Sequence, residues 1–213
     1  MHVIIFAGGT IQPGVAVEQA LAEGQLIIAA DSGAATALAL GYVPTLIVGD
    51  FDSLAPETQK ELERLGSQVA EAPVEKDETD TELAIEAARK QGASRITLLG
   101  ALGGTRFEHS IANLLLLAGF ETLPLEIVDG NARAWLLRGP GTTTIEGKEG
   151  DLLSLFPLTG NASGVQTEQL YYPLLNETLY FGKPRGISNV LQGTQAYVTL
   201  DDGLLLLVHT TTA

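Results

Sequence analysis

PTLIVGDFDSL, residues 44–54, decides how the first half of the chain is read. Leu46, Ile47 and Val48 make a short apolar run that stops at a glycine and is followed by acid, aromatic, acid. Consecutive apolar positions over so few residues describe a strand buried on both faces, as in a parallel sheet. Asp50 and Asp52 lie two residues apart, so on an extended chain their carboxylates point the same way and repel. A strand ending in this way implies a positive partner.

The pattern recurs. HVIIFAGG (2–9), QLIIAADSG (25–33), RITLLGALGG (95–104) and PLEIVDG (124–130) are also apolar runs that end in small or acidic residues. Between them lie helical patterns, VAVEQALAEG, AATALALG, PETQKELERLG and TDTELAIEAARKQG, each closed by a glycine suited to the position just past a helix. Thr79 and Glu82 have capping-box spacing. Strand and helix in alternation predict an α/β fold, a doubly wound and mostly parallel sheet over residues 1–138. Near Gly139 the character changes to short β-rich runs: TTTIEG, DLLSLFPL, ETLYFG, TQAYVTL and LLLLVH. Asp202-Gly203 between the last two signals a hairpin. Residues 139–213 are therefore expected to form a small all-β sandwich or barrel.

Composition narrows the partners. The 213 residues carry 12 basic against 26 acidic side chains, a net charge of −14, which disfavours nucleic acid. A small phosphorylated ligand remains compatible if a divalent cation bridges the two negative partners. With no cysteine there is no disulfide, thiolate nucleophile or Cys-ligated zinc. No apolar stretch has the length of a membrane span, and NLLLLAGF (113–120) reads as a buried helix end. A cytoplasmic location is expected.

In an open parallel sheet, ligands bind beyond the carboxyl ends of the strands. There the sequence puts Gly8-Gly9, Asp31-Ser32-Gly33, Asp50, Asp52 and Gly103-Gly104, and KDETDTE (76–82) opens a helix on the same edge. Asp31, Asp50, Asp52, Asp77 and Asp80 are thus expected to converge, with glycine turns offering N–H groups to phosphates and the acids holding Mg²⁺. Any one acid reads equally well as a helix cap, and Ser53 before PETQKELERLG reads as a cap on its own. Neither GxGxxG nor GxxxxGK[ST] is present, so the usual dinucleotide and P-loop signatures are missing. In GALGGTRFEHSIAN, Arg106 is suited to phosphate oxygens and Glu108 to a metal or a nucleophile. The structural alternative has Glu108 facing the helix dipole and His109 and Asn113 satisfying nearby backbone.

AADSGA (29–34), PTLIVGDFDSL, KDETDTELA (76–84) and GALGG-RFEH with Asn113, then GDLLSLFPL (150–158), YPLLNETL (172–179) and GISN (186–189), together resemble the thiamine pyrophosphokinase family over nearly the whole chain. The resemblance implies diphosphoryl transfer from ATP to thiamine, giving thiamine diphosphate and AMP. It also implies an α/β domain plus β-sandwich, and a homodimer whose active site lies between subunits. Asp50, Asp52 and Asp80 match the family's metal-binding acids. Asp31, Lys76, Asp77 and Thr79 match positions lining the nucleotide, and Ser188 and Asn189 the segment contacting thiamine. The chain departs from the family's pattern at Thr105, which is inserted, at Glu108, which replaces aspartate, and at Val190, where glutamate is frequent. Trp135 is the only tryptophan; Tyr171, Tyr172 and Phe181 read as core side chains more readily than as a surface for thiamine. Asp31 or Glu108 is expected to take the hydroxyl proton. Three alternatives stay open: a catalytically silent nucleotide- and thiamine-binding protein, an interaction protein whose acids are helix caps and whose β-half makes a dimer, and a diphosphotransferase acting on another small alcohol.

Overall fold

The alternation of the first 130 residues becomes β1 (His2–Phe6), α1 (Val15–Glu23), β2 (Leu26–Ala30), α2 (Gly33–Ala39), β3 (Leu46–Gly49), α3 (Pro56–Arg64), β4 (Gln68–Glu71), α4 (Asp80–Lys90), β5 (Arg95–Leu99), α5 (Phe107–Gly119) and β6 (Leu125–Asp129). The structure is a computed structural model that describes residues 1–212, and the chain divides into compact units at Gly130 and Asn131. In the first unit the strands run in the order β6-β5-β1-β2-β3-β4, all parallel. Ile4, Phe6, Ala29, Ile47 and Leu99 face Ala16, Val17 and Ala20 of α1, Ala34 and Ala37 of α2, and Leu62 of α3. The alternate residues Val3 and Ile5 are fully buried too, and α4 packs on β1, β2 and β3. Both faces are covered, which is why these runs are apolar without alternation; each buried Ile or Leu contributes about 1.5–3 kcal/mol.

The short polar strand β4 escapes sequence reading because it has little to bury. It pairs only with β3, at the sheet edge, and three of its four residues are exposed.

The second unit contains β7 (Ala132–Arg138), β8 (Gly141–Glu146), β9 (Leu152–Pro157), β10 (Ala162–Glu168), β11 (Glu177–Leu179), β12 (Asn189–Val190), β13 (Gln195–Leu200) and β14 (Leu204–Thr210). Its antiparallel strands run β12-β9-β14-β7 and β11-β10-β13-β8. Leu153, Leu155, Leu205 and Leu207 of the one layer meet Ile145, Val165, Val198 and Leu200 of the other in a single core, a β-sandwich. β7 belongs here, ahead of the compositional change at Gly139, because it pairs with β14 along its whole length.

Asp202-Gly203 does not close a hairpin. β13 pairs with β8 and β10, whereas β14 pairs with β7 and β9, so this turn carries the chain from one sheet to the other. Asp202 is bridged to Ser163 instead. The turn signal fixes a reversal of direction, not the strand on which the chain lands.

Candidate active site

The chain leaves β1 through α1 to β2 on one flank, and returns through α4 to β5 on the other flank of β1. That reversal creates a crevice at the carboxyl ends of β1 and β5, the place where open α/β sheets bind ligands. A cavity of about 540 Å³ lies at this edge, lined by Gly8, Gly9, Asp31, Ser32, Asp50, Asp52, Lys76, Thr79, Asp80, Gly103, Gly104 and Arg106. Small-molecule sites commonly fall in this size range. Gly9 forms part of its floor: the Gly9 N–H donates to the Gly100 carbonyl at 2.8 Å, and a Cβ at Gly9 would stand 2.4 Å from that oxygen. No larger residue fits there without moving the turn.

The acids converge as the strand ends require. Asp31 and Phe51 adopt left-handed backbone, φ 46° and 61°, each just beyond a strand. Such conformations are unfavourable for side-chain-bearing residues and concentrate at functional sites. One carboxylate oxygen from each of Asp31, Asp50 and Asp52 lies within 4.8 Å of the others. Asp31 accepts a hydrogen bond from the Ser53 hydroxyl, while its Oδ1 is buried without a protein partner. Asp50 Oδ1 accepts from the Asp52 N–H at 3.2 Å and Oδ2 from Lys76 Nζ at 3.4 Å. The Asp52 N–H, and then the Lys76 charge, hold the Asp50 carboxyl below its ordinary range. Three hard oxygen donors this close together could hold a divalent cation, and the bare Asp31 Oδ1 could accept a proton. Asp80 stands apart from this trio and meets Asp50 through Lys76, 3.1 Å from Asp80.

Ser53 is not the cap of α3. That helix starts with Ala55 and Pro56 and has no side-chain cap, which leaves the hydroxyl for Asp31. Thr79 does cap α4: its Oγ1 accepts from the Glu82 N–H at 3.2 Å.

Three residues expected at the site are elsewhere. Gly33 is buried where β1 and α2 touch, and a Cβ there would lie 2.2 Å from the Phe6 carbonyl, so its role is close packing. Asp77 is exposed and off the cavity wall. Glu108 is off it too and accepts from Arg106 Nε at 2.9 Å, both side chains being two-thirds exposed. That bond keeps the Glu108 carboxyl low without burying it. His109 and Asn113 are on the wall, and Asn113 donates to the Ala101 carbonyl at 2.8 Å, bracing the glycine turn. Val74, on the wall and 74% exposed, is an apolar surface that no periodicity would have flagged.

In the second unit, Ser188 has φ 55°, and its N–H donates to Ser154 Oγ at 3.0 Å. Asn189 is buried, and both ends of its amide are engaged: Oδ1 accepts from the Tyr172 and Val190 N–H groups, and Nδ2 donates to the Tyr172 carbonyl at 2.7 Å. Asn189 therefore holds the tyrosine loop in place. Tyr171, Tyr172 and Phe181 are not core: each is about 60% exposed, with the two tyrosine rings edge to face at 4.7 Å. Trp135 instead packs against the sandwich core.

Comparison with known proteins agrees with this layout. Residues 17–128 match the family model "Thiamin pyrophosphokinase, catalytic domain", and residues 142–205 match "Thiamin pyrophosphokinase, vitamin B1 binding domain". The thiamine pyrophosphokinase of Bacillus subtilis is 28% identical over 192 residues, covering 89% of each chain. Its crystal structure superposes with a TM-score of 0.88 at 27% identity over the whole of both chains. The thiamin pyrophosphokinase structure of Geobacillus thermodenitrificans gives 0.84 at 28% identity, over 100% of this chain and 99% of that one. Both units thus match the family's two domains, and the chain belongs to the thiamine pyrophosphokinase family, enzymes of ATP-dependent thiamine diphosphorylation.

Proposed function

We propose that this chain binds ATP in the crevice of its first unit and transfers the diphosphoryl group to the hydroxyethyl oxygen of thiamine, releasing AMP. The observation that carries the site assignment is the carboxylate trio Asp31, Asp50 and Asp52, whose oxygens lie within 4.8 Å beside glycine turns. So much negative charge accommodates a polyphosphate only with a divalent cation between them. Asp50, Asp52 and Asp80 would hold Mg²⁺, which when bound neutralises phosphate charge and polarises the reacting phosphorus. The hydroxyl oxygen attacks the β-phosphorus, the bond from that phosphorus to the α-phosphate bridging oxygen breaks, and AMP departs with the electron pair. Asp31 Oδ1, buried and without a partner, takes the hydroxyl proton; Glu108, on the surface with Arg106, is the poorer acceptor. Gly8, Gly103 and Gly104 offer backbone to the phosphates, Gly9 keeps the turn free of a side chain beside them, and Arg106 offers a guanidinium.

Thiamine is assigned to the segment of Ser188 and Asn189 in the second unit, where exposed tyrosines supply flat apolar surface. The functional form in this reading is a homodimer whose active site is completed by a second copy, and it works in the cytoplasm. Support for association comes from Phe107, Ile111 and Leu115, which make an exposed apolar stripe along α5 at 76%, 46% and 54%. Among the described residues no helix is long and apolar enough to cross a membrane. A silent binding protein and transfer to another alcohol are not favoured, since the catalytic and vitamin B1-binding segments both match.

The test is incubation of the purified protein with ATP, Mg²⁺ and thiamine, resolving products by chromatography. Equal amounts of AMP and thiamine diphosphate are expected. ADP with thiamine monophosphate would overturn attack at the β-phosphorus, and absence of any thiamine product would overturn the assignment.

A further inference from the structure

Lys76 has contacts that a phosphate-binding lysine does not need. Its Nζ lies 3.4 Å from Asp50 Oδ2, 3.1 Å from Asp80 Oδ1 and 3.1 Å from the Pro73 carbonyl oxygen. Its side chain is only 12% exposed, as is that of Asp50, and Asp80 is 24% exposed. These are not the solvated ion pairs that contribute little. Asp80, on the first turn of α4, and Asp50 thus share this one ammonium as an ion-pair partner. A divalent ion shared by Asp50 and Asp80 needs an oxygen from each at about 2.1 Å, and so requires the position of that ammonium. An ammonium and a dication there would repel, so one must leave. Lysine is suited to leaving, because it is a point charge on a four-carbon flexible stem and makes no bidentate lock.

We propose that Lys76 is an exchangeable counter-cation: a divalent ion entering between Asp50 and Asp80 displaces its ammonium, which then moves onto a phosphate of the nucleotide. This rests on the Mg²⁺ reading above and deepens it. The ion thereby does two things, neutralising the acids and freeing a cation beside the cavity, so metal binding and nucleotide binding become coupled.

The measurement is Mn²⁺ binding to the full chain without nucleotide, followed by electron paramagnetic resonance, for wild type, Lys76→Gln, Lys90→Gln and Asp50→Asn. Lys90 is an exposed residue at the far end of α4, about 15 Å along the helix from Asp80, and controls for the loss of one positive charge. Lys76→Gln is expected to bind Mn²⁺ on the order of tenfold more tightly than wild type, with Lys90→Gln unchanged and Asp50→Asn much weaker. Mn²⁺ should also raise ATP affinity in wild type by a larger factor than in Lys76→Gln. Equal or weaker Mn²⁺ binding by a folded Lys76→Gln would overturn the exchange while leaving the metal site standing. Equal tightening by Lys90→Gln would overturn it too, by showing a bulk charge effect. No Mn²⁺ binding by any of the four proteins would overturn both the exchange and the metal assignment.

Discussion

Replacing Asp52 by asparagine should move stability and activity in opposite directions. Asp52 is exposed, and its carboxylate lies within 4.8 Å of those of Asp31 and Asp50. Two unit charges at 4.8 Å repel by about 0.9 kcal/mol in a water-like dielectric. With two such neighbours, and with ionic screening, removing the Asp52 charge releases about 1 kcal/mol. For a chain of this size that corresponds to a rise in melting temperature of about 2–4 °C in chelator. Asparagine keeps the shape and leaves the Asp52 N–H donating to Asp50. Turnover should nevertheless fall by about 100-fold or more, since a ligand of the transition-state cation is lost. Adding Mg²⁺ at about 100 times its dissociation constant should stabilise wild type by about 2.7 kcal/mol, and the variant by far less, so the order of stabilities reverses. Thermal unfolding in chelator and in Mg²⁺, beside a thiamine diphosphate assay, reads all three effects. A variant less stable than wild type in chelator would refute the repulsion argument. Full turnover, or a wild-type response to Mg²⁺, would refute the ligand assignment.

Three other substitutions probe different parts of the structure. Gly9→Ala should destabilise by about 1–3 kcal/mol and raise KM for ATP, because its Cβ would lie 2.4 Å from the Gly100 carbonyl and 2.5 Å from that of Leu102; unchanged melting and kinetics would show that the turn yields freely. Asn189→Ala strips partners from the Tyr172 N–H, the Tyr172 carbonyl and the Val190 N–H, and should cost about 2–4 kcal/mol while raising KM for thiamine more than KM for ATP. An equal rise in both would argue against a loop-positioning role. His2, buried with Nε2 at 2.8 Å from Thr97 Oγ1, has its pKa lowered below 6.5 by burial and then by Arg95, with Glu126 and Glu23 opposing in part. The folded state thus binds fewer protons than the unfolded one. The stability tied to neutral His2 is complete above pH 6.5 and is lost as pH falls from there to the folded pKa, at no more than about 1.36 kcal/mol per pH unit. Urea midpoints at pH 7.5 and 5.5 should therefore differ less for His2→Gln than for wild type; an equal difference would assign the pH dependence to other groups.

What local pattern could specify was legible. β1, β2, β3, β5 and β6 must bury both faces, so their apolar runs stand out, and Thr79 caps α4 by a contact three residues away. β4 was lost because an edge strand with little to bury carries no such signature. Tyr171, Tyr172 and Phe181 were misread for a different reason: an aromatic side chain has the same hydropathy whether it fills a core or waits on a surface. Asp202-Gly203 likewise specifies a turn, but in a sandwich either sheet can receive the strand that follows.

The site divides along the same line. Asp31 follows β2 and Asp50 and Asp52 follow β3, neighbouring strands of a parallel sheet, and strands that run together deliver their ends together. Asp77, on the loop between β4 and α4, has no strand to aim it, and it lies exposed and off the cavity wall. Glu108 is the second residue of a helix whose start is set by the glycine turn before it, so nothing in its local sequence chooses between the crevice and Arg106. Ser53 is the converse case. Its hydroxyl was read as serving the next helix, but Pro56 starts that helix with a donor already removed, which lessens the need for a cap and leaves the hydroxyl to Asp31. Strand ends are therefore the trustworthy part of a sequence-derived site in this fold, and loop acids the part that needs coordinates. Lys76 belongs to the second kind: its sequence position marks it as a phosphate ligand, and only its distances to Asp50 and Asp80 reveal a residue already bound to the acids that a metal would claim.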